Sequence, residues 1–295
     1  MNDLLAQLIW NGLVAGSLLA LVSLGLTLIY GIAGFVQFAH GELVALGAYG
    51  MLIFHKFLGW EIFPAGVASV ACVIFFGIFL EKILFRPVRK KNPLVPLVIS
   101  IGLSILLQSL ILIFFGPQIQ TISDRHFESF SVAGKFLATP NQLCAVVAAV
   151  ILTAGLIFFL KKTRRGQSLR AVSDNRNLAQ IFGVNIDSAM RWIFGVSAGL
   201  AAVAGIFLGF ERNLEPMMGV QISITAFAAV ILGSLGSVRG AIFGALTIGF
   251  AENLLVGFGV IPSGFSSAIP FLVLIGILLV RPTGFFGKSS QFLRE

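Results

Sequence analysis

Charge is what this chain has least of. Of its 295 residues only 11% are Asp, Glu, Lys or Arg, where a soluble domain carries about 25%. A soluble globule of this length is excluded, because it would lack the charged groups that make up a polar skin. Cysteine is almost missing too. Cys72 and Cys144 are the only two, which excludes a secreted scaffold stapled by disulfides. Three histidines are present, His40, His55 and His126, and none has a Cys or His at ligand spacing, so no metal site is expected. No HExxH, nucleophile elbow or paired-carboxylate signature occurs. No Walker A sequence occurs either. The nearest approach is Gly284-Phe285-Phe286-Gly287-Lys288-Ser289, with Pro282 where the first glycine belongs. Neither catalysis nor a cofactor is therefore expected of this chain.

What it has instead is apolar bulk. Hydrophobic residues make up 57% of the sequence and the mean hydropathy is +0.99. That excludes disorder and predicts a polytopic membrane protein. Nine apolar segments are long enough, or nearly so, to span: 4–30, 38–57, 62–85, 94–115, 142–160, 192–210, 222–238, 241–258 and 267–280. The second is interrupted by His40-Gly41-Glu42, which predicts a bent or partly re-entrant helix and leaves the count at eight or nine. The first is too long for a cleavable signal, and Asp3 stands where a basic start belongs. The fold class is all-α, a single helix-bundle domain over 1–295.

The formal net charge is +8. Its distribution reads as topology rather than as a nucleic-acid surface. Sixteen of the twenty basic residues fall at the end of the third segment, in the loops after the third, fifth and seventh segments, and in the tail. The other side receives Lys56, Arg125, Lys135 and Arg212. By the positive-inside rule the N-terminus is expected outside and the C-terminus in the cytoplasm.

Inside the apolar runs, His40, Glu42, Glu252 and Asn253 are the candidates for a substrate path. Ionisable groups at membrane depth are costly and face protein or a water-filled cavity. Glycines four apart (Gly12 and Gly16, Gly195 and Gly199, Gly205 and Gly209, and Gly236, Gly240 and Gly244) predict closely packed helices. The longest polar stretch, about 161–191, is too short for a domain of its own. It predicts one short amphipathic helix, capped by Ser173 or Asp174 and stopped by Gly183. Leu178, Ile181 and Phe182 would form its apolar face.

These residues carry a resemblance. The run from Arg170-Ala171 through Ala179 to Gly183-Val184-Asn185 resembles the coupling loop of ATP-binding-cassette (ABC) importer permeases. Leu24 to Gly31 followed by Phe38-Ala39-His40-Gly41-Glu42, Ala229 to Ala241, and Arg281 to Gly287 are similar, in that order, to hallmarks of the branched-chain amino-acid (high-affinity leucine/isoleucine/valine) permease family. Arg170-Ala171-Val172 departs from the broader Glu-Ala-Ala pattern. The resemblance implies a bundle of the ABC importer permease type in the inner membrane of the cell. It implies two ATPase subunits below, a homologous second permease subunit alongside, and a periplasmic binding protein above. Arg170, Ala171, Asp174, Leu178, Ala179, Phe182 and Gly183 would then couple the chain to its ATPases. A stand-alone ion-coupled transporter using Glu42 and Glu252 is the rival reading.

Overall fold

The computed structural model describes residues 2–89, 92, 94–122, 129–132, 136–281 and 284–286. Lys90, Lys91, Arg125, His126, Lys135, Lys288, Ser289 and Arg294 lie outside them, as do Pro282, Thr283 and Gly287 of the closing motif. Among the described residues the chain forms α1 (Asn2–Ala33), α2 (His40–Met51), α3 (Ile62–Leu80), α4 (Leu94–Phe115), α5 (Pro140–Lys162), α6 (Arg164–Asp174), α7 (Arg176–Ile181), α8 (Ile186–Glu211), α9 (Met218–Gly233), α10 (Val238–Gly257) and α11 (Ile269–Val280). Helices α2 and α3 run on as π-helical turns over Leu52–Phe57 and Glu81–Phe85, and a 3₁₀ turn, Ser263–Ala268, leads into α11. Two short strands, β1 (Phe130–Val132) and β2 (Phe136–Ala138), pair antiparallel within the loop between α4 and α5.

Each predicted span corresponds to a helix. Among the described residues seven helical segments are long and apolar enough to cross a membrane. The two that fall short are α2, 12 residues before its π turn, and α9, 16 residues. The second segment is not bent at His40-Gly41-Glu42. The break precedes it, at 34–39, and the helix begins at His40. Gly34, at φ 77°, turns the chain out of α1. Serines from other helices then satisfy the freed backbone. The Phe38 N–H donates to Ser100 Oγ (3.2 Å), Ser223 Oγ donates to the Phe38 carbonyl (2.8 Å), and the Gly41 N–H donates to Ser223 Oγ (2.9 Å). Irregular backbone survives in a membrane protein only where such partners replace water.

Helices α1, α2 and α8 form the interior, and α3, α4, α5 and α11 form the outer wall. The wall helices are apolar all round, so their outward faces carry Phe63, Phe75, Ile113 and Leu279 where a soluble protein would place charge. Small residues set the internal spacing. A Cβ on Gly205 of α8 would strike the Val44 carbonyl of α2, and one on Gly47 of α2 would strike Ala202 of α8. The two backbones touch where side chains are missing. Two other predicted glycine rows pack likewise, Gly12 and Gly16 against α10 and Gly240 and Gly244 against α9, whereas Gly195 and Gly199 face only the side chains of Ile74 and Ile78 of α3. Gly236 does not belong to its row. It lies before α10 begins, in a turn at φ 84°.

The two ends of the bundle differ. At one end the first turns of α1 meet the hairpin and α5. Gln7 exchanges hydrogen bonds with the Leu137 backbone (3.1 and 2.8 Å), and Trp10 donates to Gln142 Oε1 (2.9 Å). At the other end Ser173 of α6 donates to the carbonyl of Gly31, near the end of α1 (2.8 Å). There Arg86 and Arg89, beyond α3, both pair with Asp187 of α8. The basic loops after α3 and α5 thus share the end opposite the chain's start.

Candidate functional site

The α6–α7 segment is built by its caps. Thr163 Oγ1 accepts the Gly166 N–H (3.0 Å) and starts α6. Asn175, in extended conformation, ends α6, and its Oδ1 accepts the Leu178 N–H (3.0 Å) to start α7. The predicted single helix is therefore two, and the cap of the second is Asn175 rather than Ser173 or Asp174. The hydroxyl of Ser173 is committed to Gly31, and Asp174 is still inside α6. Gly183 does stop the helix, at φ 81°. Its N–H donates to the Gln180 carbonyl (3.0 Å), and the Val184 N–H reaches back to the Ala179 carbonyl (2.9 Å). This pair of bonds needs a left-handed residue between them, which glycine adopts without strain.

The caps decide which side chains face outward. Leu169, Val172 and Ala179 are buried against the bundle. Arg170, Ala171 and Asp174 are exposed on α6. Leu178 is half exposed, and Ile181 and Phe182 are 78% and 83% exposed. Of the seven predicted coupling residues, six lie on the accessible surface and Ala179 points inward. An apolar face sits in the most polar stretch of the chain, at the basic end of the bundle. Arg165, stacked 4.3 Å from the Trp192 ring, holds α6 against α8.

The four path candidates divide between two places. His40 and Glu42 lie in the interior, 1% and 0% exposed. The His40 Nε2 N–H donates to the Val22 carbonyl (3.1 Å), and Nδ1 lies 3.5 Å from Ser197 Oγ. Glu42 Oε1 accepts from Ser104 Oγ (3.0 Å), and the carboxylate lies against Gly219 in the first turn of α9. A helix N-terminus favours negative charge. Both residues join α2 to its neighbours.

Glu252 is elsewhere. It lines a cavity of about 330 Å³ among α1, α8, α9, α10 and the 3₁₀ turn. Arg212, Gln221, Thr225, Ser266 and Ser267 share the lining, and Leu19, Val22, Ile222, Ile224 and Phe271 supply an aliphatic and aromatic wall. Asn253, next to Glu252, turns its amide to the Gly249 carbonyl (2.9 Å) and is not part of this lining. A concave surface with one carboxylate, one guanidinium and an aliphatic wall can hold a small zwitterion by its two charges and its side chain. Arg212, Gln221 and Thr225 escaped the sequence reading. The signal for two of them was there: Gln221 and Thr225 are four apart, hence on one face of α9. Arg212 carried no such signal, since a cation just past a span is ordinary. Among the described residues no cluster of His, Cys, Asp or Glu offers a metal site.

A family model described as branched-chain amino acid transport system / permease component matches residues 8–278. The chain is 31% identical to the high-affinity branched-chain amino acid transport system permease protein LivH of Escherichia coli K12, covering 96% of each chain. It is 34% identical to the corresponding protein BraD of Pseudomonas aeruginosa, covering 97% of this chain and 96% of that one. In fold it resembles a chain of PsaBC from Streptococcus pneumoniae, with a TM-score of 0.50 at 15% identity over 92% of this chain and 91% of that one. The rival reading, an ion-coupled carrier working alone, gains no support from these relatives.

Proposed function

Since the chain belongs to the branched-chain amino acid transport permease family, we propose that it is a membrane-spanning subunit of an ABC importer for leucine-like amino acids. The observation that carries this reading is the division of labour between the two ends. The basic end displays an apolar face, Leu178, Ile181 and Phe182, that the described residues leave uncovered. The opposite half of the bundle holds the cavity of Glu252 and Arg212. With the basic end in the cytoplasm, two ATPase subunits dock there, and α7 seats its apolar face in a groove of one of them. A periplasmic binding protein delivers the amino acid at the other end, and a homologous permease subunit completes the path.

In this reading Glu252 takes the α-ammonium group, Arg212 the α-carboxylate, and Leu19, Ile222 and Phe271 the branched side chain. His40 and Glu42 act from inside the wall, fixing α2 against α1, α4 and α9. ATP-driven closure moves α6–α7 and, through the Ser173–Gly31 bond, the end of α1. Two packings of the bundle, biased differently by the partners, give the inward- and outward-facing states.

The test is reconstitution of the complete complex in proteoliposomes. Leucine uptake requires internal ATP and is lost in Glu252→Gln and Arg212→Gln while ATPase subunits remain bound. Uptake by this chain alone, driven by an ion gradient, overturns the reading.

A further inference from the structure

A second and larger cavity, about 830 Å³, opens at the basic end, where the π-helical turn after α3 and the residues beyond it meet the joint between α7 and α8. Four of its lining residues are cationic, Lys82, Arg86, Arg89 and Arg176, and one is a carboxylate, Asp187. That carboxylate is already used, because Arg86 and Arg89 both pair with it. Arg89 also takes Glu81 at 3.2 Å. Lys82 and Arg176 are left without a carboxylate among the described residues. Arg176 is the more telling. Its Nε is buried with no hydrogen-bond partner, and its Nη2 finds only the sulfur of Met190, at 4.0 Å. Burial pushes this guanidinium below its ordinary value, and no neighbouring acid offsets the shift. A guanidinium cannot escape by losing its proton, so an anion is the partner that would offset the desolvation of its buried part.

Topology explains why cations are numerous at this end. It does not explain why they converge on a concavity, or why one of them, half-buried, keeps its Nε buried and unpaired. We propose that this cavity binds a phosphate-bearing anion, held between Arg176 at the first turn of α7 and Lys82 in the π-helical turn after α3. Guanidinium groups bind phosphate oxygens through paired N–H donors, and an ammonium adds a point charge. Two sources share this chemistry: the headgroup of an anionic phospholipid, reached from the membrane side, and free phosphate from the cytosol. Basic pockets between spanning helices at a membrane face commonly hold such headgroups. The anion would tie α7 to α3. Only that consequence rests on the docking role proposed for α7; the binding does not.

The experiment uses the whole transporter complex, purified in detergent and delipidated. Phosphatidylglycerol, phosphatidylcholine and inorganic phosphate are titrated separately, reading the melting temperature and the intact mass of the complex. Phosphatidylglycerol retained as a bound adduct, with no response to inorganic phosphate, supports the proposal and identifies a lipid. A rise in melting temperature with inorganic phosphate supports it and identifies the free anion. In either case Arg176→Gln weakens binding about tenfold to a hundredfold, and Arg176→Lys restores part of it. Should Arg176→Gln aggregate on size exclusion, Lys82→Gln, at an exposed position, carries the same test. The proposal fails if neither anion binds, or if both variants bind as the wild type does. It also fails if Arg176→Gln releases the ATPase subunits while anion binding stays unchanged, since the cavity then seats an acidic protein segment.

Discussion

Phe182→Ala isolates docking from folding. The side chain is 83% exposed, so its own chain buries only a small part of it. Fully burying a phenylalanine is worth about 1.5–3 kcal/mol. The exposed share therefore leaves about 1.2–2.5 kcal/mol for a partner's groove to gain, against a few tenths for the chain's own stability. Truncation should weaken association with the ATPase subunits by about tenfold to seventyfold. The melting temperature of the isolated permease should be unchanged. Affinity is read by titrating tagged ATPase subunit onto the permease in detergent, and stability by thermal denaturation of the permease alone. Ala179→Leu is the contrasting variant. Ala179 is 4% exposed and packs inward, so the added volume lowers the permease's own stability. Unchanged association in Phe182→Ala, or a clear loss of permease stability there, would refute the assignment of this face to a partner.

Gly205→Ala should cost about 1–3 kcal/mol, because the new Cβ meets the Val44 backbone and α2 and α8 must separate. Gly195→Ala should cost much less, since its Cβ meets side chains and no backbone, Ile78 at 3.2 Å and Ile74 at 3.7 Å; thermal denaturation of the two side by side checks both. Asn175→Ala removes the cap of α7 and should cost about 0.5–2 kcal/mol locally, seen as faster hydrogen exchange at 176–181 with the rest of the bundle unaffected. Ser223→Ala leaves the Phe38 carbonyl and the Gly41 N–H without their partner. It should lower stability by about 1–3 kcal/mol; a neutral result would show that water replaces the hydroxyl at that joint.

Composition and run length alone determined the class of this molecule. Too few charges for a polar skin, and nine apolar runs, leave only a bundle of spanning helices, because backbone polar groups in lipid have to pair within each segment. Where Gly183 stops α7, and which residues make its apolar face, were also legible, since cap chemistry and helical period are local. The tertiary structure decided everything that depends on what a residue lies against. His40 and Glu252 look alike in the sequence, each an ionisable group in an apolar run. One is locked to the Val22 carbonyl in the interior, and the other lines a cavity with an arginine 40 residues earlier in the chain. Ser173 was as good a cap as Asn175 until the end of α1 claimed its hydroxyl. The unpaired Arg176 was one basic residue among many until α3, α7 and α8 met around it. Local sequence sets hydrogen-bonding capacity and period; which partner satisfies each group is settled only when distant segments come together.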